Sequence, residues 1–339
     1  MTHLQTLRKV YGLLLVLVAF SSCSKTMYST RFVLLPDTQY YTEKYPDVLD
    51  SQINWVVRHA GEIDMVIQQG DLTQNNNEKE WQLIQAGFNK LNGKLPYVLA
   101  VGNHDMGSGP GKFADTRNTE LYNRFFPLSQ MKQLPSFGGI FEEGKLDNAY
   151  YFLRKGNTKW LILTLEFGPR NSVLDWANNL VARYADHIVV LNTHSYLYSD
   201  STRQGPGDNW RPQAYGVGKD TGVQTVNDGE QIWEKLVRRN PNIRFVFSGH
   251  VLNSGVGTLI SVNDHGYYVY QMLANFQSEV KGSVRGGNGY LRILDIDAKS
   301  RTLSVSTYSP YVNQYMDSPA HRFAIKDVVL EPGRKDELK

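Results

Sequence analysis

The chain is poor in the features that classify many sequences at once. It has one cysteine among 339 residues, so no disulfide can close within it. No apolar run reaches the ~20 residues of a transmembrane helix; the longest covers only positions 10–20. Net charge is +3, too small to argue for nucleic acid as a partner or for a purely electrostatic membrane contact. A Gly-rich dinucleotide fingerprint and a Gly-Lys-Ser/Thr phosphate loop are both missing, which removes the common nucleotide cradles. After Arg31 no repeat, low-complexity tract or linker breaks the chain. With 41% hydrophobic residues it can bury a sizeable core, and one domain over 31–330 is the simplest organisation.

What is present begins at the N-terminus. His3, Arg8 and Lys9 precede the apolar stretch, and Ser21, Ser22 and Cys23 follow it. A basic start, a short apolar core and small residues predict a secretory signal peptide over 1–22. The single cysteine directly after the small residues resembles a bacterial lipobox, with Phe20 in place of the usual aliphatic residue. That resemblance implies a lipidated Cys23 and a short tether over 23–30. The domain would then be exported, periplasmic or at the cell surface, and tied to a membrane surface without spanning it.

Five apolar runs each end on residues that bind metal. Arg31-Phe32-Val33-Leu34-Leu35 leads to Asp37 and Gln39, and Met65-Val66-Ile67 leads to Gly70-Asp71. Tyr97-Val98-Leu99-Ala100-Val101 leads to Gly102-Asn103-His104-Asp105. Ile188-Val189-Val190-Leu191 leads to His194, and Phe245-Val246-Phe247 leads to Gly249-His250. Short β-branched runs closed by Gly or Pro read as buried strands. Strands of one sheet end along a common edge, where ligands collect in α/β folds. Asp, Asn and His converging there make a mixed oxygen and nitrogen metal site.

Helical patterns separate these strands. Leu49, Ile53, Val56, Val57 and Ala60 share one face; Trp81, Ile84, Phe88 and Leu91 share another. Val173, Trp176, Ala177, Leu180 and Val181 form a third, and Ile232, Trp233, Leu236 and Val237 a fourth. Alternation of strand and helix argues for βαβ units. The C-terminal third differs: 267–273, 290–296 and 302–308 read as strands of a second, more antiparallel sheet. Two long loops, 106–115 and 199–222, follow metal-ligand motifs and are candidates for substrate walls.

The order Asp, Asp, Asn-His-Asp, His, His resembles the calcineurin-like metallophosphoesterases. Further stretches resemble a bacterial secreted branch: Pro36-Asp37-Thr38-Gln39-Tyr40-Tyr41, Leu165-Glu166-Phe167-Gly168-Pro169-Arg170, Asn192-Thr193-His194-Ser195-Tyr196 and Thr307-Tyr308-Ser309-Pro310-Tyr311. The resemblance implies an α/β fold, a four-layer αββα sandwich of two mixed sheets flanked by helices. It implies two divalent ions (Mn, Mg, Fe or Zn), with Asp71 bridging them. Asn103, His194 and His250 match the ligands of the second ion, and Asp37 one ligand of the first. Two positions depart from the pattern. Gln39 and Leu252 stand where the family has first-ion histidines. The first site is thereby richer in oxygen, which favours hard ions and weaker retention. His265 is a distant candidate for the missing nitrogen.

The implied activity is metal-dependent hydrolysis of phosphate mono- or diesters, by water that the ions activate. His104 matches the family's general acid, and Asp105 is a candidate to orient it. Arg170 is a candidate phosphate clamp, with an ion pair to Glu166 as the structural alternative. Tyr40 is a candidate wall of the substrate cleft. The alternative function is a catalytically impaired scaffold serving as an extracytoplasmic binding protein, motivated by the two lost histidines. A third possibility keeps catalysis with one tightly held ion.

Overall fold

The structure, a computed structural model, describes residues 29–330. The signal-peptide stretch and Cys23 lie outside the described residues. The first three strands are β1 (Ser29–Leu35), β2 (Met65–Gln68) and β3 (Tyr97–Leu99). Seven follow: β4 (Phe137–Ile140), β5 (Ala149–Lys155), β6 (Thr158–Leu165), β7 (Ile188–Thr193), β8 (Ile243–Ser248), β9 (Val256–Val262) and β10 (Tyr268–Ala274). The last are β11 (Leu291–Asp297), β12 (Thr302–Ser309), β13 (Gln314–Met316) and β14 (Arg322–Lys326).

They form two seven-stranded mixed sheets. One runs β13-β12-β11-β1-β2-β3, with β14 also on β12; the other runs β4-β5-β6-β7-β8-β10-β9. Within the first, β1, β2 and β3 are parallel, and β11 joins β1 antiparallel with Val33 opposite Ile293. Within the second, β6, β7, β8 and β10 are parallel.

The central strands β7 and β8 of the second sheet are buried at every position and mostly apolar, because both of their faces are covered. Trp160, Ile162, Val190, Phe245 and Met272 face the first sheet and join its core, where Phe32 meets Trp160 edge-on at 5.2 Å between ring centroids. Leu161, Leu163, Val189, Leu191 and Val246 point the other way, into a separate cluster. That cluster is completed by α6 and by α7 with its π-helical continuation, defined below.

The helices are α1 (Gln39–Glu43), α2 (Pro46–Arg58), α3 (Glu78–Asn89), α4 (Glu120–Phe125), α5 (Leu128–Met131), α6 (Asn171–Arg183) and α7 (Gly229–Ile232), the last running into a π-turn over Trp233–Val237. Pro46 starts α2, where its missing N–H costs nothing. The Asn77 side chain accepts from Glu80 N at 3.0 Å and starts α3, and Asp228 with Gln231 forms a capping box on α7. Val48, Leu49, Ile53, Val56, Trp81, Ile84 and Phe88 carry α2 and α3 onto the core of the first sheet. Val173, Leu174, Ala177, Leu180, Ile232 and Leu236 carry α6 and the α7 region onto the second. Each such buried aliphatic or aromatic side chain is worth about 1.5–3 kcal/mol.

The C-terminal third departs from expectation. It does not make a sheet of its own. Strand β10 lies parallel to β8 in one sheet, whereas β11–β14 extend the other through β1. Among the described residues no helix is long and apolar enough to cross a membrane.

Candidate metal centre

The carboxyl ends of β1, β2 and β3 in one sheet, and of β7 and β8 in the other, lead into five loops that meet. Each loop delivers one of the predicted ligands. Asp37, Asp71, Asn103, His194 and His250 are all buried, none more than 5% exposed. Asp37, Asp71 and His250 take positive φ angles of 22°, 52° and 71°, a conformation that ordinary side chains avoid at a cost of order 1 kcal/mol. Three glycines explain how the loops approach so closely. A Cβ on Gly70 would overlap the His194 ring, one on Gly102 would overlap Asp71, and one on Gly249 would overlap the Asp37 carboxylate.

The donor atoms converge on one point. His194 Nε2 lies 3.1 Å from Asp71 Oδ1, 3.1 Å from Asn103 Oδ1 and 3.2 Å from His250 Nδ1. The far nitrogen of each ring is tied to backbone: His194 Nδ1 to the Gln69 carbonyl at 2.8 Å, His250 Nε2 to the Trp210 carbonyl at 2.7 Å. A carbonyl only accepts, so each tied nitrogen carries the hydrogen. When both rings are neutral, the two facing nitrogens present lone pairs to each other and to two oxygens. Four lone-pair donors at such spacing call for a cation between them, and backbone-oriented imidazoles are how metal sites fix their tautomers.

Electrostatics agree. Burial opposes ionisation of Asp71, yet the histidines, His194 foremost, hold its carboxyl below the usual carboxylate range. Burial alone would depress His194, but Asp71 and Asp37 outweigh it and raise the ring to about 9. Burial and the neighbouring His194 push His250 down to about 3. The cluster favours one positive charge at this point, and proton and metal ion compete for it.

The first-ion side is built differently. Burial raises the Asp37 carboxyl well above its ordinary range, while His250 N donates to both of its oxygens, at 3.2 and 3.0 Å. Gln39 opens α1 with its side chain buried, and its Oε1 has no hydrogen-bond partner. An orphaned carbonyl oxygen on a residue that lines the cleft together with Asp71 fits an oxygen-rich ion site. Leu252 lines the same cleft and brings no donor. His265 is not there. It sits in the turn between β9 and β10, at the opposite edge of the sheet, with Nε2 2.9 Å from the Arg239 carbonyl.

Four other candidates take the following places. His104 lines the cleft; its backbone N–H donates to Asp71 Oδ1 at 3.0 Å, and its Nδ1 pairs with the Gln74 carbonyl at 2.8 Å. Asp105 does not orient that ring. Its carboxylate accepts from the N–H groups of Leu72, Thr73 and Gly102 at 2.9–3.0 Å and thereby ties the Asp71 loop to the Asn103 loop. Arg170 takes the structural alternative: its guanidinium is committed to Glu166, Glu142 and Gln224. Tyr40 lines the cleft and donates to Glu279 Oε1 at 2.7 Å.

Four further residues line the cleft. Trp210 and Tyr215 come from the long loop after β7, and Gln277 and Glu279 from the loop after β10. The loop 199–222, which holds Trp210 and Tyr215, is the wall that its length and position predict, whereas sequence reasoning missed Gln277 and Glu279. Nothing in the sequence marked Gln277 or Glu279. The cavity at the floor of this open cleft is about 80 Å³.

Two mixed sheets with an Asp, Asn and His cluster at their shared edge give the chain the sandwich of the metallophosphoesterases and a candidate metal centre. The chain belongs to the calcineurin-like phosphoesterase family, which it matches over residues 30–254. It is 26% identical over 326 residues to the uncharacterized protein YvnB of Bacillus subtilis (strain 168). That match covers 93% of this chain and 22% of YvnB, so the chain spans about a fifth of that relative's length. Among solved structures, the purple acid phosphatase PPD1 from yellow lupin (Lupinus luteus) seeds shares the fold. Its TM-score is 0.52 at 15% identity, over 88% of this chain and 54% of that one.

Proposed function

We propose that the protein hydrolyses phosphate esters using divalent ions held at this cluster. One observation carries this: the facing lone pairs of His194 and His250, whose far nitrogens are tied to backbone carbonyls. Asp71, Asn103, His194 and His250 would hold the second ion. Asp37, Gln39 and the remaining oxygen of Asp71 would hold the first. When bound, such ions neutralise phosphoryl oxygens and acidify the attacking water.

The chain's own part is positioning and proton transfer. Asp71 is fixed by the His104 N–H, and its loop is fixed by Asp105. His104 has Nδ1 engaged by Gln74, which leaves Nε2 as the nitrogen able to give a proton to a leaving oxygen. Phe113 packs against the ring at a 34° tilt, with centroids 4.0 Å apart, and helps hold its plane. His104→Ala should slow hydrolysis of bis-p-nitrophenyl phosphate by about 10²–10⁴-fold with Mn content unchanged. A near-normal rate in that variant would remove His104 from the mechanism. The absence of turnover of bis-p-nitrophenyl phosphate and p-nitrophenyl phosphate, with Mn, Mg, Fe or Zn added, would favour the binding-protein alternative.

The basic start, short apolar stretch and Cys23 support export and lipid anchoring of this activity outside the cytoplasm. Labelled palmitate incorporated into the wild type and not into Cys23→Ser would support the anchor; equal labelling would rule out Cys23.

A further inference from the structure

The walls of the cleft carry an unusual charge balance for an enzyme that binds phosphate esters. Among the described residues, no lysine or arginine lines it. Arg170 is held by Glu166 and Glu142, and Arg117 by Asp220 and the carbonyls of Phe167 and Gly168. Lys44, 5.6 Å from the Tyr40 ring centroid, is paired with Glu43. The charged side chain on the rim is an anion, Glu279, which Tyr40 holds through Oε1. Three part-exposed aromatic residues, Tyr40, Trp210 and Tyr215, line the same space.

These walls discriminate among phosphate esters. The metal cluster answers the charge on one phosphoryl group. A second anionic group, as in a nucleoside polyphosphate or a sugar bisphosphate, would find no cation and would face Glu279. A cationic arm finds a carboxylate and aromatic rings, the combination that recognises ammonium groups. We infer that the preferred substrate is a phosphodiester whose second ester arm carries an ammonium group. This rests on the phosphoesterase function proposed above and narrows it. In the reaction, water oxygen bonds to phosphorus, the bond from phosphorus to the leaving oxygen breaks, and one water proton ends on that oxygen. The other is released to solvent, leaving an alcohol and a monoester.

The test compares two p-nitrophenyl phosphodiesters. One has choline as its second arm; the other has 3,3-dimethylbutanol, the neutral carbon isostere of choline. With Mn-loaded wild type, kcat/KM should favour the choline ester by about five- to tenfold, the scale expected of one exposed charge pair with aromatic support. Glu279→Gln should bring that ratio close to one, and Glu279→Lys should invert it. Bound Mn should be the same in all three proteins.

Equal kcat/KM for the two esters in the wild type, with bis-p-nitrophenyl phosphate still hydrolysed, would overturn the ammonium preference alone. So would a ratio unchanged in Glu279→Gln. Loss of bound Mn in Glu279→Gln would make Glu279 a metal ligand and overturn the inference too. Failure to hydrolyse any of the three esters with Mn bound would remove the phosphoesterase function and this inference together.

Discussion

The two halves of the metal cluster solve the same problem with different chemistry. On the His194 side, two imidazoles and two oxygens meet at 3.1–3.2 Å, each ring locked by a backbone carbonyl. On the Asp37 side there is a buried carboxylate, an unpartnered amide oxygen on Gln39, and an aliphatic side chain at Leu252. Nitrogen-rich and pre-oriented sites hold borderline ions such as Zn or Fe tightly. Oxygen-rich sites with a missing ligand suit Mn or Mg and release them more readily. If two ions bind as proposed, the half that carries Gln39 and Leu252 in place of imidazoles should grip its ion less firmly than the half built on His194 and His250.

The sharpest way to break the comparison is to remove what the halves share. Asp71→Asn keeps the shape of the carboxylate and deletes its charge. Both ions should be lost and hydrolysis should fall by roughly 10⁴-fold or more, since each ion supplies several kcal/mol of charge stabilisation. Metal content by mass spectrometry, measured beside turnover, checks this.

Next come the single-sided variants. His194→Ala should weaken the tighter ion by more than about 10–100-fold, the loss typical even for outer partners of metal ligands. Asp37→Ala should leave that ion in place and abolish only the looser one. Calorimetric titration with Mn separates the two outcomes, and equal losses in both variants would erase the distinction between the halves.

The third test uses pH. With its folded value raised to about 9, His194 binds its proton more tightly folded than unfolded. In metal-free protein this contributes stability fully present below about pH 6.5 and lost as pH rises through about 9, worth roughly 3 kcal/mol. Metal must displace that proton, so apparent affinity for the tighter ion should weaken about tenfold per pH unit below about pH 9. Thermal melts of metal-free protein between pH 6 and 10, with Mn titrations alongside, read both signs.

The smallest expected change sharpens the comparison from the other direction. Leu252→His returns an imidazole to the cleft wall of the oxygen-rich half. It should tighten the looser ion by roughly tenfold and shift its preference from Mn toward Zn. Competition between the two metals measures it.

The candidate ligands were legible in the sequence because each follows a short apolar run, closed by Gly or Pro in every case but His194, a local pattern with a physical cause. The helices were legible too, since α2, α3 and α6 bury the faces that their periodicity marks. Sheet membership was not. Whether β11 pairs with β1 or with β10 depends on contacts between residues about 260 positions apart, such as Thr30 with Ile296. The partner of Asp105 was hidden for a related reason. Adjacency to His104 suggested a shared role, whereas the carboxylate turns back to the amides of Leu72 and Thr73. The Trp210 carbonyl, which orients His250, is a backbone atom and leaves no mark in a side-chain motif. Glu279 reaches the cleft from a loop with no signature and meets Tyr40 only in the folded chain.

The most direct test of the central claim is a Mn titration of metal-stripped protein followed by electron paramagnetic resonance. Two equivalents of Mn should bind, one tightly and one more weakly. The tight class should vanish in His194→Ala and persist in Asp37→Ala. An absence of Mn binding, or a tight class that survives His194→Ala, would contradict it.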